Sequence, residues 1–232
     1  MDLQKKTLVV LITFLILAVA LTGFFVAAIL LTNYQSLERE YMTNDLMQTV
    51  SLVTNNEKSL SALASDWAPW DDTYDFVAGE RPDYVQRNIN ADAFASLRIS
   101  FLVIANRTGG IVYAGSYDAA NRTLVPVSPA LIDAIRPGSP LLAADDPRAD
   151  TTGILMLPEG PALVSSHPVV RTDFSGPARG VVIMGQYLDS SGVQGMTGRM
   201  DSAVEIVPVE QANLSTLGFS GETTVSPSYI IR

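Results

Sequence analysis

The side chains best equipped for chemistry lie in one stretch, Asp66-Trp67-Ala68-Pro69-Trp70-Asp71-Asp72-Thr73-Tyr74-Asp75-Phe76-Val77, which holds both tryptophans of the chain. Aromatic faces beside a carboxylate suit a cationic or hydrogen-bond-donating small molecule, because the ring quadrupole and the carboxylate both attract positive charge. On a helix starting at Pro69, Trp70, Thr73, Tyr74 and Val77 share one face. Asp71, Asp72 and Asp75 share the other. Two uses follow from this pattern. The aromatics can be core, with the aspartates solvating a helix start whose dipole favours acids. Alternatively, Trp67, Trp70 and Tyr74 border a cavity and Asp71 or Asp72 orients a ligand. The residues alone favour the first, since buried aromatics are usually packing.

Other chemistry is excluded by composition and spacing. The chain has no Cys, so it has no disulfide framework, thiolate zinc site or lipid-attachment cysteine. Its one histidine is His167, in Ser165-Ser166-His167. Neighbours on a strand point to opposite faces, which is not a triad geometry. A membrane-anchored hydrolase therefore lacks its nucleophile–base pair, and no enzymatic activity is expected. There is no glycine-rich phosphate loop. Asp71, Asp72 and Asp75 lack the alternating spacing of a calcium loop and read as a solvated face. No metal and no cofactor is expected. A net charge of −9 repels phosphate backbones, so nucleic acid is a poor partner. Asn106-Arg107-Thr108, Asn121-Arg122-Thr123 and Asn213-Leu214-Ser215 fit glycosylation sequons.

These residues need an anchor and a scaffold. Residues 8–31 carry no charge, with only Thr13, Thr22 and Gly23 interrupting the apolar run. That length crosses a bilayer. Lys5 and Lys6 precede it and the first basic residue after it is Arg39, which places the N-terminus in the cytoplasm. The run continues past Ala18-Val19-Ala20, so an uncleaved anchor is favoured over a cleaved signal. A pilin-like helix would need a buried Glu, and the run has none.

Outside the membrane, residues 32–66 contain no Gly or Pro and read as a helix rising about 50 Å. Leu46, Val50, Val53, Leu60, Ala64 and Trp67 fall on one heptad seam, with Glu57 its polar member. This stripe either packs on its own domain or pairs two copies, and a few heptads do not choose. A short helix from Pro69 to Val77 ends at Gly79, and a longer one runs over 82–97 with Val85, Ile89, Ala93 and Leu97 inward. Strands follow at 99–105 and 111–115 around the Asn106–Gly110 turn, then a helix at 130–135. Further strands are expected at 153–157, 162–170 and 180–188. The class is α+β: a transmembrane helix continuing into a long exterior helix, then a PAS-like antiparallel five-stranded sheet with flanking helices. The expected segments are a tail at 1–7, the membrane helix at 8–31, a stalk at 32–66, the sensory fold at 67–190 and an incomplete extension at 191–232, with a strand expected at 204–209.

The aromatic stretch resembles the Trp-x-x-Trp-Asp-Asp-x-Tyr signature of the fourth class of CHASE domains, the extracellular sensory modules of archaeal and bacterial sensor kinases and nucleotide cyclases. The matching residues are Trp67, Trp70, Asp71, Asp72 and Tyr74. The 101–115 hairpin, Ser166-His167-Pro168-Val169 and the run 180–189 are also similar, so the resemblance covers about 34–190. It implies a membrane-anchored extracytoplasmic domain that binds a small-molecule signal and passes it through the stalk to a kinase- or cyclase-type partner, and the heptad seam adds the expectation of a homodimer. Trp67, Trp70, Asp71, Asp72 and Tyr74 would then be the ligand-binding residues. The second expectation is an interaction module that dimerises through its long helix without a ligand. The family often has Arg where this chain has Gln186, and its members continue into a second membrane helix and an output domain. A fragment, a truncated paralogue and a stand-alone partner are the three readings of that difference.

Overall fold

The computed structural model describes residues 3–188 and the short strands Ile206–Val207 and Ile230–Ile231, with side chains for 6–8, 11–27, 29 and 50–188. Two units are present, Met1–Gln48 and Thr49–Arg232. The first is helical throughout its described length, as part of α1 (Leu3–Trp67). Lys6–Ala27, 22 residues of mean hydropathy 2.8, is long and apolar enough to cross a membrane. The Thr22 hydroxyl donates to the Ala18 carbonyl, which satisfies it within its own helix.

The second unit is built on a six-stranded sheet, β3-β2-β1-β6-β5-β4, antiparallel at every pairing. Its strands are β1 (Phe101–Asn106), β2 (Ile111–Asp118), β3 (Thr123–Val125), β4 (Thr151–Leu157), β5 (Gly160–Val169) and β6 (Gly180–Tyr187). The sixth strand, beyond the five expected, is β3. Its three residues are too few for a two-residue period to show in sequence. β1 is buried along nearly its whole length, because both faces of the sheet are covered. This is why it reads as an unbroken apolar run.

One face is packed by α1 and three short helices, α2 (Asp71–Val77), α3 (Tyr84–Asn88) and α4 (Ala91–Leu97). Leu60, Ala64, Tyr74, Tyr84 and Phe94 meet Leu102, Ile104, Leu163, Val182 and Met184 there. The other face is packed by α5 (Pro129–Ala134) and a 3-10 turn (Pro140–Leu142). There Leu131, Ile135 and Leu141 meet Phe101, Val103, Val164 and Ile183. The seam residues Leu60 and Ala64 are thus part of this chain's own core, and Val53 is buried as well.

Two helix expectations are corrected. The helix expected over 82–97 is two helices. Asn90 stands extended between them (φ −142°, ψ 168°) and its side-chain oxygen accepts the Ala93 amide, capping a fresh start. The residues turned inward are Tyr84, Ile89 and Phe94. The motif helix starts at Asp71, two residues later than expected. Trp70 is its extended N-cap (φ −93°, ψ 135°), so its indole leaves the helical phase and stays 41% exposed while Phe76 turns in. Gly79, at φ +82°, follows its end. Of the expected strand at 204–209, Ile206–Val207 (β7) pairs with Ile230–Ile231 (β8). The remainder of 191–232 lies outside the described residues.

Candidate functional site

A groove of about 270 Å³ opens where the end of α1 meets the sheet. Ser65, Ala68 and Pro69 form one wall, Pro147 and Arg148 the rim, and His167, Pro168, Val170 and Phe174 the rest. Most of this lining is apolar. Phe174 sits in the left-handed region (φ 59°), a strained setting for a bulky residue. The Arg148 guanidinium lies 5.2 Å from the centre of its ring.

His167 links the groove to α1. Its Nε2 is 3.0 Å from Ser61 Oγ, and that hydroxyl donates to Asp150 Oδ2 at 3.0 Å. A hydroxyl has one proton, so His167 carries hydrogen on Nε2 and donates to Ser61. Asp150 Oδ2 also accepts from Thr152 at 3.1 Å. Burial pushes the His167 pKa below its ordinary value, and nearby Asp150 only partly opposes this. Burial would raise the Asp150 carboxyl, but the Ser61 and Thr152 hydroxyls and His167 outweigh it and hold its pKa low. The three side chains do not form a triad, because Asp150 Oδ2 approaches the same Nε2, at 4.0 Å, rather than the far ring nitrogen. They join α1, the residue preceding β4, and β5. Sequence reading missed this cluster because Ser61 and His167 are 106 residues apart.

The five expected site residues lie beside the groove, and none of them is among its lining residues. Trp67 stacks on Trp70, with ring centres 5.7 Å apart and planes at 14°. Tyr74 is buried, with two guanidiniums over its ring, Arg171 at 4.6 Å and Arg179 at 4.0 Å. Asp71 accepts the Thr172 amide at 3.1 Å and lies 3.8 Å from Arg171. Asp75 is also 3.8 Å from Arg171, and Asp72 pairs with Arg81 at 2.8 Å. The Thr73 hydroxyl donates to the Trp67 carbonyl and meets the Tyr84 hydroxyl at 2.8 Å. The stretch therefore ties the end of α1 to α2 and pins the 171–179 loop, which carries Phe174. Arg171 and Arg179 gave no sequence signal as partners of Tyr74, since nothing periodic connects them.

A long helix laid across an antiparallel sheet, with short helices before the first strand, defines a PAS-like sensor domain. Solved structures share it. The sensor domain of the V. cholerae histidine kinase DctB superposes with TM-score 0.52 at 9% identity, covering 77% of this chain and 66% of that one. A domain of a sensory box/GGDEF family protein from Vibrio parahaemolyticus gives 0.51 at 11% identity, covering 72% and 68%. At such identities the likeness is one of fold. The CHASE4 domain matches residues 52–207, and the chain belongs to that family. It is 31% identical over 172 residues to the methanogenesis regulatory histidine kinase FilI of Methanothrix harundinacea (strain 6Ac), covering 74% of this chain. The chain spans 19% of that protein's length. This is a sensory domain of the kind found in histidine kinases, and among the described residues one helix is long and apolar enough to cross a membrane.

Proposed function

We propose that this chain is an extracytoplasmic sensory domain that binds a small-molecule signal in the groove and passes it through α1 to a kinase- or cyclase-type partner. The observation that carries this reading is the composition of the groove wall. Ser65, Ala68 and Pro69 come from the end of α1 and the residues just after it, so an occupant touches the helix itself. One turn back, Ser61 holds that helix to Asp150 and His167. A ligand that fits one seating of α1 better than another shifts the population between them, by as much as its affinities differ. The lysines before the apolar run support a cytoplasmic N-terminus and an exterior sensory fold. Trp67, Trp70, Asp71, Asp72 and Tyr74 serve this site as its frame, by fixing where α1 stops and where Phe174 stands.

The test is hydrogen exchange over residues 58–68 of the full chain in nanodiscs, against a panel of anionic, neutral and cationic small solutes. At least one compound is expected to protect this segment, and Ser65→Trp, which fills the groove, is expected to abolish the protection. A panel that leaves the exchange unchanged would sink the proposal.

A further inference from the structure

Among the described residues, Arg148 is the only charged side chain on the groove besides the titratable His167, and it has no ion pair. Its guanidinium rests on the face of Phe174, which leaves its in-plane N–H donors free. None of the acids near it in sequence or across the groove pairs with its guanidinium. Asp145 lies 3.9 Å from Arg107. Asp146 accepts the Arg148 backbone amide and Asp173 the Ser175 amide. Asp150 takes the Ser61 and Thr152 hydroxyls. His167 is kept neutral by burial and donates into the protein. The groove therefore offers one fork-shaped cation beside an apolar lining that includes Ala68, Pro69, Pro168 and Val170.

We propose, resting on the reading of this groove as the sensory site, that its ligand is a small organic anion. A single carboxylate would be held by Arg148, with an apolar body against Phe174, Pro69 and Pro168. A guanidinium matches a carboxylate in plane, through two parallel hydrogen bonds. At about 270 Å³ the groove falls just short of the roughly 300–1,000 Å³ of drug-sized sites, so the body is short. The strained Phe174 gives the arrangement its built character: the loop holds a large ring in a costly conformation, directly beneath the cation. Arg171 and Arg179, both over the Tyr74 ring, fix that loop from behind.

The experiment is calorimetric titration of the full chain in phosphatidylcholine nanodiscs. Butyrate and phenylacetate are the probes, with butyramide, phenylacetamide and butylamine as matched neutral and cationic controls. The acids are expected to bind and the controls not. Arg148→Gln is expected to weaken the acids about tenfold or more, the scale of one lost charge-assisted hydrogen bond, with the unfolding midpoint unchanged. Arg148→Lys is expected to retain more affinity than Arg148→Gln. Equal binding of acid and amide, no binding of either acid, or an unchanged affinity in Arg148→Gln overturns the proposal. Binding of an amide or the amine that Phe174→Ala abolishes would also overturn it, while leaving the groove a sensory site for another class of ligand.

Discussion

Along β1, Leu102 and Ile104 look toward α1–α4 while Phe101 and Val103 look toward α5 and the 3-10 turn. On the α5 side the covering residues are apolar, with few polar ties, such as the buried Ser166 Oγ donating to the Leu141 carbonyl 25 residues earlier. The α1 side has an equally apolar centre but a margin sewn by polar groups from distant parts of the chain. These are Ser61 with Asp150 and His167, Asp71 with the Thr172 amide, and Tyr74 with two arginines over its ring. Apolar packing is dense and tolerates little displacement. Exposed ion pairs and hydroxyl bonds have small net worth and exchange readily with water. The contrast teaches where the fold is held more loosely: the α5 face is secured mainly by packing, and the α1 margin by polar contacts that water can replace.

The largest expected effect tests the side held by packing. Leu131→Ala, at a position with no exposure, should cost about 3 kcal/mol in urea unfolding; a loss below about 1 kcal/mol would show that the α5 face is not secured that way. Next is Tyr74→Leu, which keeps an apolar filler but removes the ring that Arg171 and Arg179 both contact. It should cost about 1–2 kcal/mol and quicken proteolytic cleavage within 171–179; a loop as resistant as before would break the claim that the tyrosine pins it.

Acidification comes third. His167 has a folded pKa below its unfolded value, so the unfolded chain takes up a proton that the folded chain refuses. The stability this site contributes is complete above about pH 6.5. It is lost as pH falls below that, with a slope of at most about 1.4 kcal/mol per pH unit. Asp150 is held below its ordinary value and titrates outside this window. His167→Gln should flatten the profile between pH 7 and 5, measured by thermal unfolding; an unchanged slope would assign the sensitivity to other groups. The smallest change is expected from Asp72→Asn, at the exposed pair with Arg81. It should shift stability by about 0.5 kcal/mol or less, and a much larger loss would give the margin a stiffness denied to it here.

The same division explains what the sequence made legible. The long central strands announce themselves because both faces are covered, and the motif's helix shows in its residue types. β3 escaped notice for want of length, and the break at Asn90 because one side-chain cap outweighed an apparently continuous apolar face. The tryptophan stretch was recognisable, but the groove beside it was not. Its walls come from residues 65–69, 147–148 and 167–174, and no window of neighbouring residues spans those three places. Arg148 reads in sequence as one more surface cation, and only the fold sets it over Phe174.

The strand order has a consequence for biosynthesis. β1 and β6 lie side by side at the middle of the sheet, from Phe101 opposite Gly185 to Asn106 opposite Gly180. During translation, then, two partial sheets, β1-β2-β3 and β4-β5, must wait for one last segment to emerge and slide between them. The slot they leave is narrow: a side chain at position 180 would strike the Ala105 carbonyl, and one at 185 the Phe101 ring. Closing it joins distant parts of the chain, so the step should be slow. A ribosome halted before Gly180 would hold two hairpin-built pieces with raw inner edges, a nascent chain in need of a chaperone until the wedge arrives.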